Sequence, residues 1–453
     1  MPILKSTSSN QGVGAQIPNI RTTYLSTSVT LILGLGCNLI SGVLSARMLA
    51  PAGRGALAVI TYYPSLISSI LPLGIPLATS LHMCSGRRSA DQAASTGFWL
   101  TAILGVIGSA AAVLFVPFLL PADKLQLRFA VQLVCGLSIA MVLSPVLYAI
   151  ERSRHMFHWV NGLQLLTTVS YIAALGIMWW THSASALVIG IILQVIQWGL
   201  VVLHVWRLGK NSFLTRIDLS YCRVLFVHGL RFFGPAGAAL IYILADRAIL
   251  IRNAGFVENG LYAVAFSAAY PLSLLAEAFA QLGFIEVAAS RDPADLIVHR
   301  MCALKIVIIV AALGAICVVS PLIRFAFGNA FAGAIVPTYI LLGVMAMRAH
   351  SRALESMLRG ADRAWPGIVS NTVSFGIVVI GASGGFITGA QSLALNLVVA
   401  EAFAFAILVA ASSSILRISP IRLLGMPMSF ISDLPRQLSV SWSELTSQLA
   451  HAK

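Results

Sequence analysis

Long apolar stretches follow one another along this chain and constrain its fold more than any other feature. A membrane-spanning helix needs about 20 predominantly apolar residues. Twelve stretches of roughly that length can be marked: 24–46, 56–80, 97–120, 129–150, 159–181, 184–206, 224–250, 260–285, 302–323, 331–350, 366–390 and 393–416. Short turns join them. The sequence therefore predicts an all-α polytopic membrane protein with twelve transmembrane helices.

The composition excludes a soluble chain. Residues from the set AVILMFWYC make up 58% of the 453 residues, charged residues make up 10%, and the mean hydropathy is +0.90. A soluble domain carries about 25% charged residues. The six cysteines show no Cys-x-x-Cys spacing, so we interpret them as small buried apolar residues and predict neither disulfides nor a metal site.

The basic residues indicate the orientation of the chain. If the N-terminus is cytoplasmic and the twelve helices alternate, 21 of the 29 Lys and Arg residues lie in cytoplasmic segments. This is the bias that membrane proteins show towards the cytoplasm, so both termini are predicted to be cytoplasmic. The same bias accounts for the net charge of +14 without a nucleic-acid partner.

An internal repeat divides the chain into two halves. The pattern Arg-x7-Gly-x-x-Ala-Val begins at Arg47 and again at Arg252, and Tyr-Pro follows each copy. Each copy joins the first two helices of a predicted six-helix bundle, which indicates a parallel duplication of the kind that places a site between two bundles. The predicted divisions are a cytoplasmic arm at 1–23, a first bundle at 24–207, a cytoplasmic linker at 208–223, a second bundle at 224–417, and a cytoplasmic tail at 418–453 that is either amphipathic or disordered.

Signatures of enzymes are missing from the sequence. It contains no GxxxxGK[ST] or HExxH pattern, so we predict neither an enzyme nor a cofactor. His82 and Cys84 have the spacing of two metal ligands but no second pair, and we interpret them as ordinary packing residues. Membrane glycosyltransferases and ligases usually carry charged residues on a large outer loop, which this chain lacks.

Charged residues within or beside the predicted spans are the candidate functional residues. A charge near the bilayer centre costs about 2.5–3.5 kcal/mol even on the lenient insertion scale. The candidates are Arg47, Arg231, Asp246, Arg247, Glu277, Arg348, Arg352 and Glu401. Arg231 and Glu277 are the strongest, because neither lies near a loop.

Structural alternatives accompany several of these candidates. Arg348, Arg352, Glu355 and Arg359 share one helical face, which lines a cavity or extends to the cytoplasmic surface. Arg47 and Arg54 flank a turn at Pro51 and suit a structural cap as well as a ligand contact. Asp246, Arg247 and Arg252 suit an anchor at the outer interface.

Two runs in the second half are familiar: Gly229-Leu230-Arg231 through Asp246-Arg247, and then Asn259 to Ala265. Through them, the chain from about residue 24 to residue 416 resembles bacterial polysaccharide-export flippases of the O-antigen type, within a superfamily that includes lipid II flippases and multidrug and toxin extruders. The turn Ala46 to Gly55 is also similar to that family, except that Ala50 replaces a usual glycine, a change expected to cost little.

The resemblance implies two six-helix bundles in a V around a cavity, in the bacterial inner membrane. The cargo would be an oligosaccharide on a polyprenyl pyrophosphate for exopolysaccharide, capsule or O-antigen assembly, with a polysaccharide polymerase and export machinery as further partners. Arginines suit the pyrophosphate, which gives Arg47, Arg231, Arg247, Arg348 and Arg352 a role in substrate binding. An ion gradient would supply energy through Asp246, Glu277 or Glu401.

Two other functions stay open. A multidrug extruder of the same superfamily should have an acidic and aromatic cavity for cations, and a membrane glycosyltransferase or ligase should join lipid-linked sugars. A major-facilitator carrier is disfavoured, because the loop at Cys84–Arg88 lacks that family's Gly-x3-Asp-Arg pattern.

Overall fold

A computed structural model describes residues 20–85, 89–209, 219–290 and 293–425, and every element in these ranges is helical. The helices are α1 (Ile20–Ile70), α2 (Ile75–Cys84), α3 (Ala90–Leu119), α4 (Arg128–Gly136), α5 (Ile139–Ser153), α6 (Phe157–Trp180), α7 (Ala186–Leu208), α8 (Leu219–Asn253), α9 (Phe256–Ala269), α10 (Pro271–Ala289), α11 (Pro293–Pro321), α12 (Ile335–Gly360), α13 (Trp365–Ser383), α14 (Ala390–Leu416) and α15 (Pro420–Leu424). Most of the predicted N-terminal arm, linker and tail lie outside the described residues.

Nine helical segments of the described chain are long and apolar enough to cross a membrane. A bent pair, Ser220–Gly234 and Ala236–Asn253, makes a tenth if the two parts form one span. The first segment, Leu33–Cys84, includes the predicted stretch 56–80 and part of the stretch 24–46, and the predicted span 260–285 is divided between α9 and α10. The prediction of an all-helical membrane fold is confirmed, and the number twelve stays a prediction.

Irregular backbone interrupts the helices where proline occurs. Ala50, immediately before Pro51 within α1, has φ 55° and ψ 176°, so α1 consists of two helical stretches that meet there. This conformation is populated almost only by glycine and costs of order 1–3 kcal/mol for other residues. The expectation that alanine costs little at this turn is therefore wrong. The two parts of α8 meet at Pro235 with a bend of 59°.

Helix α8 contributes to the packing of both halves. Tyr221 and Leu225, near its start, are buried with residues of α2, α3, α5 and α7. Tyr242 and Leu250, after the bend, belong instead to the apolar core formed mainly by α9 to α14. The bend at Pro235 lies between these two buried parts of α8.

The two halves contact each other most closely at the glycines of the internal repeat. A Cβ atom added to Gly55 would lie 1.8 Å from the carbonyl oxygen of Phe256 and 3.0 Å from the backbone nitrogen of Gly260. A Cβ atom on Gly260 would lie 2.0 Å from the carbonyl oxygen of Pro51. The equivalent glycines of the two repeats therefore bring the backbones of α1 and α9 together.

Arg47 adds a second connection near this contact. Its Nε donates to the carbonyl oxygen of Ala326 at 2.6 Å, and its Nη2 donates to that of Phe325. Both carbonyls belong to the π-helical turn Leu322–Phe327 that follows α11. We call this end of the helices the Arg47 end, and the opposite end, where α1 begins and α14 ends, the terminal end.

Exposed aromatic side chains mark the Arg47 end. Phe118, Phe129, Trp180, Phe325 and Phe386 are between 69% and 84% exposed. They lie where α3, α6, α11 and α13 finish and where α4 starts, and short connections reverse the chain between successive helices. A belt of aromatic residues at this level is typical of a membrane–water interface.

The first described residues of the predicted tail dock on the second half. Leu423 of α15 is buried, and Lys305 of α11 donates to the backbone carbonyls of Leu423 and, at 2.9 Å, Gly425. Arg422 forms an ion pair with Asp295 at 3.0 Å. The chain is thus attached to α11 as far as Gly425, while residues 426–453 lie outside the described residues.

We expect the substitution Ala50→Gly to stabilise the protein by about 1–2 kcal/mol, because glycine adopts the positive φ of this turn without steric strain. The thermal unfolding midpoint of the purified protein in detergent measures this. A lower midpoint for Ala50→Gly than for the wild type would contradict the strained turn.

We expect Gly55→Ala to weaken the contact between α1 and α9, because its methyl group would overlap backbone atoms that cannot rotate away. A matched control is Gly42→Ala on the same helix, where an added Cβ meets nothing within 4 Å. Disulfide trapping between cysteines introduced in α1 and α9 should become slower in Gly55→Ala and stay at the wild-type rate in Gly42→Ala. Equal trapping rates in the two variants would contradict this contact.

Candidate substrate site between the two halves

A cavity of about 200 Å³ lies between α1 and the helices α8 and α9. Its walls come from both copies of the repeat: Arg54, Ala58, Thr61, Tyr62 and Ser65 on one side, and Asn259, Tyr262, Ala263, Phe266 and Ser267 on the other, with Arg247, Leu250 and Ile251 from α8. Ala58 and Ala263 are equivalent positions of the repeat, whereas Arg54 corresponds to Asn259. The cavity therefore lies between the two copies of the repeat. Its charge is asymmetric, because one copy has Arg54 where the other has Asn259.

Two arginines give the cavity a positive charge. Arg54 and Arg247 both line it and are close enough to interact electrostatically. Arg54 Nε is buried and has no hydrogen-bond partner among the described residues. The guanidinium of Arg247 lies 4.5 Å from the ring centre of Phe266, a cation–π contact. Because the described lining includes no carboxylate, the site suits an anion better than a cation.

Asp246 lies behind the cavity wall. It accepts a hydrogen bond from the hydroxyl of Tyr262 at 2.7 Å and another from the backbone N–H of Arg247 at 2.6 Å. Asp246 is 1% exposed. Tyr262 thus presents its ring to the cavity and its hydroxyl to a buried carboxylate.

A buried charge network continues from Asp246 into the second half. Arg348 on α12 donates to Glu401 on α14 at 2.6 Å, and Tyr242 on α8 donates to the same carboxylate oxygen at 2.9 Å. Arg348 also lies over the ring of Tyr242 and interacts electrostatically with Asp246. Its Nη2 is buried without a partner among the described residues. Asp246, Arg348 and Glu401 therefore interact inside a helix bundle, and Nη2 of Arg348 remains available as a donor.

A small void of about 10 Å³ adjoins this network and extends it towards the terminal end. Arg352 and Glu355 line it together with Ser370 and Asn371. Asn371 donates to Glu355 at 3.3 Å. Of the helical face predicted on α12, Arg348 and Glu355 are buried, whereas Arg359 is exposed. The void is too small for a sugar.

The structure separates the predicted site residues into three groups. Arg247 lines the cavity between the halves. Asp246, Arg348, Arg352 and Glu401 lie in or beside the buried network of the second half. The remaining candidates lie apart: Arg47 contacts backbone carbonyls at the Arg47 end, and Arg231 and Glu277 have exposed side chains on α8 and α10.

Sequence reasoning left out several residues of the site. Arg54 suited a structural cap as well as a ligand contact, and its place beside the repeat glycine Gly55 is a signal that could have found it. Tyr262 lay within the segment that carries the family resemblance. No sequence pattern indicated Tyr242, because its hydrogen-bond partner Glu401 is 159 residues away along the chain.

The fold is that of an all-helical, multi-pass membrane protein with a cavity between its two halves. A family profile described as polysaccharide biosynthesis protein matches residues 44–337, more than half of the chain. The protein belongs to this family. A comparison with curated protein sequences finds no significant match.

Solved structures of transporters share the fold. An inward-facing multidrug resistance MATE family transporter of the MOP superfamily has a TM-score of 0.67 at 14% identity, covering 87% of this chain and 99% of the other. The lipid II flippase MurJ in an inward closed conformation has a TM-score of 0.67 at 12% identity, covering 91% of each chain. An outward-facing MATE family transporter of the MOP superfamily has a TM-score of 0.61 at 12% identity, covering 88% and 96%. The chain therefore has the fold of the MOP superfamily.

We expect Glu401→Gln to destabilise the protein by about 3–5 kcal/mol, because it leaves the buried charge of Arg348 without its carboxylate. The double variant Arg348→Met/Glu401→Gln should recover part of that loss, since no unpaired charge is then buried. Thermal unfolding of Glu401→Gln, of the double variant and of Arg348→Met alone completes a double-mutant cycle with the wild type. Strictly additive effects would show that the two side chains do not interact.

Proposed function

We propose that this protein is a flippase that moves an oligosaccharide linked to a polyprenyl pyrophosphate across the bacterial inner membrane by alternating access. The observation that carries this proposal is the cavity between the halves, with Arg54 and Arg247 in its described lining and no carboxylate there. Membership of the polysaccharide biosynthesis protein family supports a sugar-containing cargo. The MurJ structure, described as a lipid II flippase, supports flipping as the reaction for this fold.

The physical requirement is to shelter a strongly anionic head group at membrane depth. An unpaired anion in apolar surroundings is very costly, and a guanidinium is the side chain best suited to bind phosphate by two parallel hydrogen bonds. The stack of Arg247 on Phe266 restricts that guanidinium before the substrate arrives, which lowers the entropy lost on binding. A volume of about 200 Å³ suits the pyrophosphate, while the polyprenyl chain stays in the lipid.

We place the Arg47 end at the outer face of the membrane and the terminal end in the cytoplasm, as the distribution of basic residues predicts. In this orientation the halves are closed on the outside by the contact of Gly55 with Gly260 and by Arg47. The exposed side chains of Arg231 and Glu277 lie on the cytoplasmic parts of α8 and α10. We assign Arg231 to the capture of the anionic head group from the inner leaflet.

We assign ion coupling to the buried network of the second half. Asp246 and Glu401 are both protected from water, and Tyr262 connects Asp246 to the substrate cavity. A cation bound there would alter the charge that Arg348 and Tyr262 experience, and so would change the cavity wall. Glu277 is the remaining carboxylate for which we propose a coupling role. A partner polymerase would use the cargo after it reaches the outer leaflet.

We expect Arg54→Gln and Arg247→Gln each to reduce flipping about 10-fold or more, because each removes one cation from the head-group site. Arg324→Gln is the matched control, since Arg324 is exposed at the Arg47 end and does not line the cavity. The assay follows a labelled polyprenyl-pyrophosphate disaccharide in proteoliposomes by its accessibility to a membrane-impermeant glycosidase.

Flipping by both cavity variants at the rate of Arg324→Gln would overturn the assignment of the site. Gradient-driven export of cationic dyes without movement of the lipid-linked sugar would favour a multidrug extruder. Extension or transfer of the sugar by the purified protein alone would establish a glycosyltransferase or ligase instead.

A further inference from the structure

A second buried polar cluster lies in the first half, well away from the substrate cavity in the fold. Glu151 is close to the last residue of α5, and His204 is close to the last residue of α7. His204 Nδ1 and Glu151 Oε1 are 2.8 Å apart, and Trp159 Nε1, near the start of α6, donates to the same oxygen at 3.0 Å. The cluster connects three helices at the terminal end.

Burial distinguishes Glu151 from the other carboxyl groups of the first half. Residues 24–207 contain three acidic residues, Asp91, Asp123 and Glu151. The side chains of Asp91 and Asp123 are 53% and 58% exposed, whereas those of Glu151 and His204 are both 0% exposed. Glu151 is therefore the sole carboxyl group of this half that is enclosed by helices.

Two atoms of the cluster have unused capacity for a proton. Glu151 Oε2 and His204 Nε2 are buried and have no hydrogen-bond partner among the described residues. When a neutral His204 donates its Nδ1–H to Glu151, both of these atoms are lone-pair acceptors without a donor. The pair then carries a charge of −1 in a buried position, which costs free energy.

Adding one proton removes the net charge of the pair. A proton from water that adds to His204 Nε2 converts the ring to imidazolium, and the charge of the pair changes from −1 to 0. The Nδ1–H bond to Glu151 is kept and then joins two opposite charges, which strengthens it. The proton is thus taken up without loss of the contact between the two side chains.

A metal ion does not suit the same atoms. Alkali and alkaline-earth cations take several oxygen ligands, whereas this cluster offers one free carboxylate oxygen and one imidazole nitrogen. A transition metal would need more donors than these two, and no group of three or more His, Cys, Asp or Glu residues able to hold a metal occurs in the described chain. The ligand that fits is a proton.

We propose that Glu151 and His204 form a proton-binding site of the first half, through which a proton gradient acts on the transporter. The coupling role rests on the proposed flippase function, while the binding of the proton does not. The pair lies near the last residues of α5 and α7, at the terminal end. Its change of charge therefore acts where these two helices and the start of α6 contact one another. The first half thereby has a titratable site separate from the Asp246–Glu401 network.

Other ionisable groups lie on the helices of the same half. The ring of Tyr148 contacts His204 edge-on at 5.0 Å, and Arg207 lies 5.9 Å from the Trp159 ring. The remaining titratable or charged side chains on the described parts of the neighbouring helices α2 to α7 are His82, Cys84, Asp91, Arg128, Cys135, Arg152, His158 and Tyr171. Helix α1 packs against α5, α6 and α7. Among its residues with described side chains, the titratable or charged ones are Cys37, Arg47, Arg54, Tyr62 and Tyr63.

The experiment measures proton uptake and flipping in variants of Glu151 and His204 and in one control variant. Glu151→Gln keeps an acceptor for His204 and Trp159 but removes the carboxylate, and His204→Asn keeps a donor at the Nδ1 position but removes Nε2. Glu286→Gln is the matched control, because Glu286 is a half-exposed carboxylate paired with Arg300. Proton uptake is followed in weakly buffered detergent solution as the pH is lowered, with ring C–H signals of His204 by NMR as a site-specific readout.

We expect the wild type and Glu286→Gln to take up one proton more than Glu151→Gln and His204→Asn when the pH is lowered from about 8 to about 5. In proteoliposomes, an imposed proton gradient should accelerate flipping of the labelled disaccharide lipid by the wild type at least 5-fold and leave the two site variants at their rate without a gradient.

Equal proton uptake by Glu151→Gln and the wild type, or an unchanged His204 signal over this pH range, would overturn the proton site. Uptake that depends on Glu151 together with equal acceleration of both site variants by the gradient would overturn its coupling role. Uptake that depends on Glu151 in a protein that moves no lipid-linked sugar would support the proton site and count against the flippase function.

Discussion

A charge that is buried among membrane helices needs a partner, and this requirement explains where the polar residues of this protein lie. Arg348 is matched by Glu401, Asp246 receives two hydrogen bonds, and Glu151 is held by His204 and Trp159. Arg54 has a buried Nε that lacks a partner within the described part of the chain, and it lines the cavity between the halves together with Arg247. An anionic substrate would supply the partner that the described lining lacks.

The fold could be predicted from the sequence to a considerable extent, because lipid imposes a simple rule. Apolar stretches of about 20 residues must become helices, since the backbone can satisfy its own hydrogen bonds there only in this way. The repeat beginning at Arg47 and Arg252 was also visible, and its glycines proved to be the contact between α1 and α9. The cost of alanine at position 50 was misjudged. Its positive φ is set by the way the two helical stretches of α1 meet there, and not by the type of residue.

The site could be predicted only in part, for reasons of sequence distance. Arg348, Glu401 and Asp246 were identifiable as charges within apolar stretches, but their pairing joins helices that are far apart along the chain. Glu151 escaped notice because it lies beside the basic turn that contains Arg152 and Arg154, where a carboxylate is usually exposed. The packing of α5 against α7 buries it, and a single sequence shows no such packing. Arg47 was predicted to bind substrate, which stays a proposal, and the structure gives it carbonyl partners.

The closest contacts between the halves have a kinetic consequence. Gly55 and Gly260 approach through backbone atoms, and so do Gly74, at the start of α2, and Gly229 on α8. Surfaces formed by bare peptide groups have no interlocking rotamers that must be released one after another. At these two contacts, sliding of one backbone past the other therefore meets little internal friction.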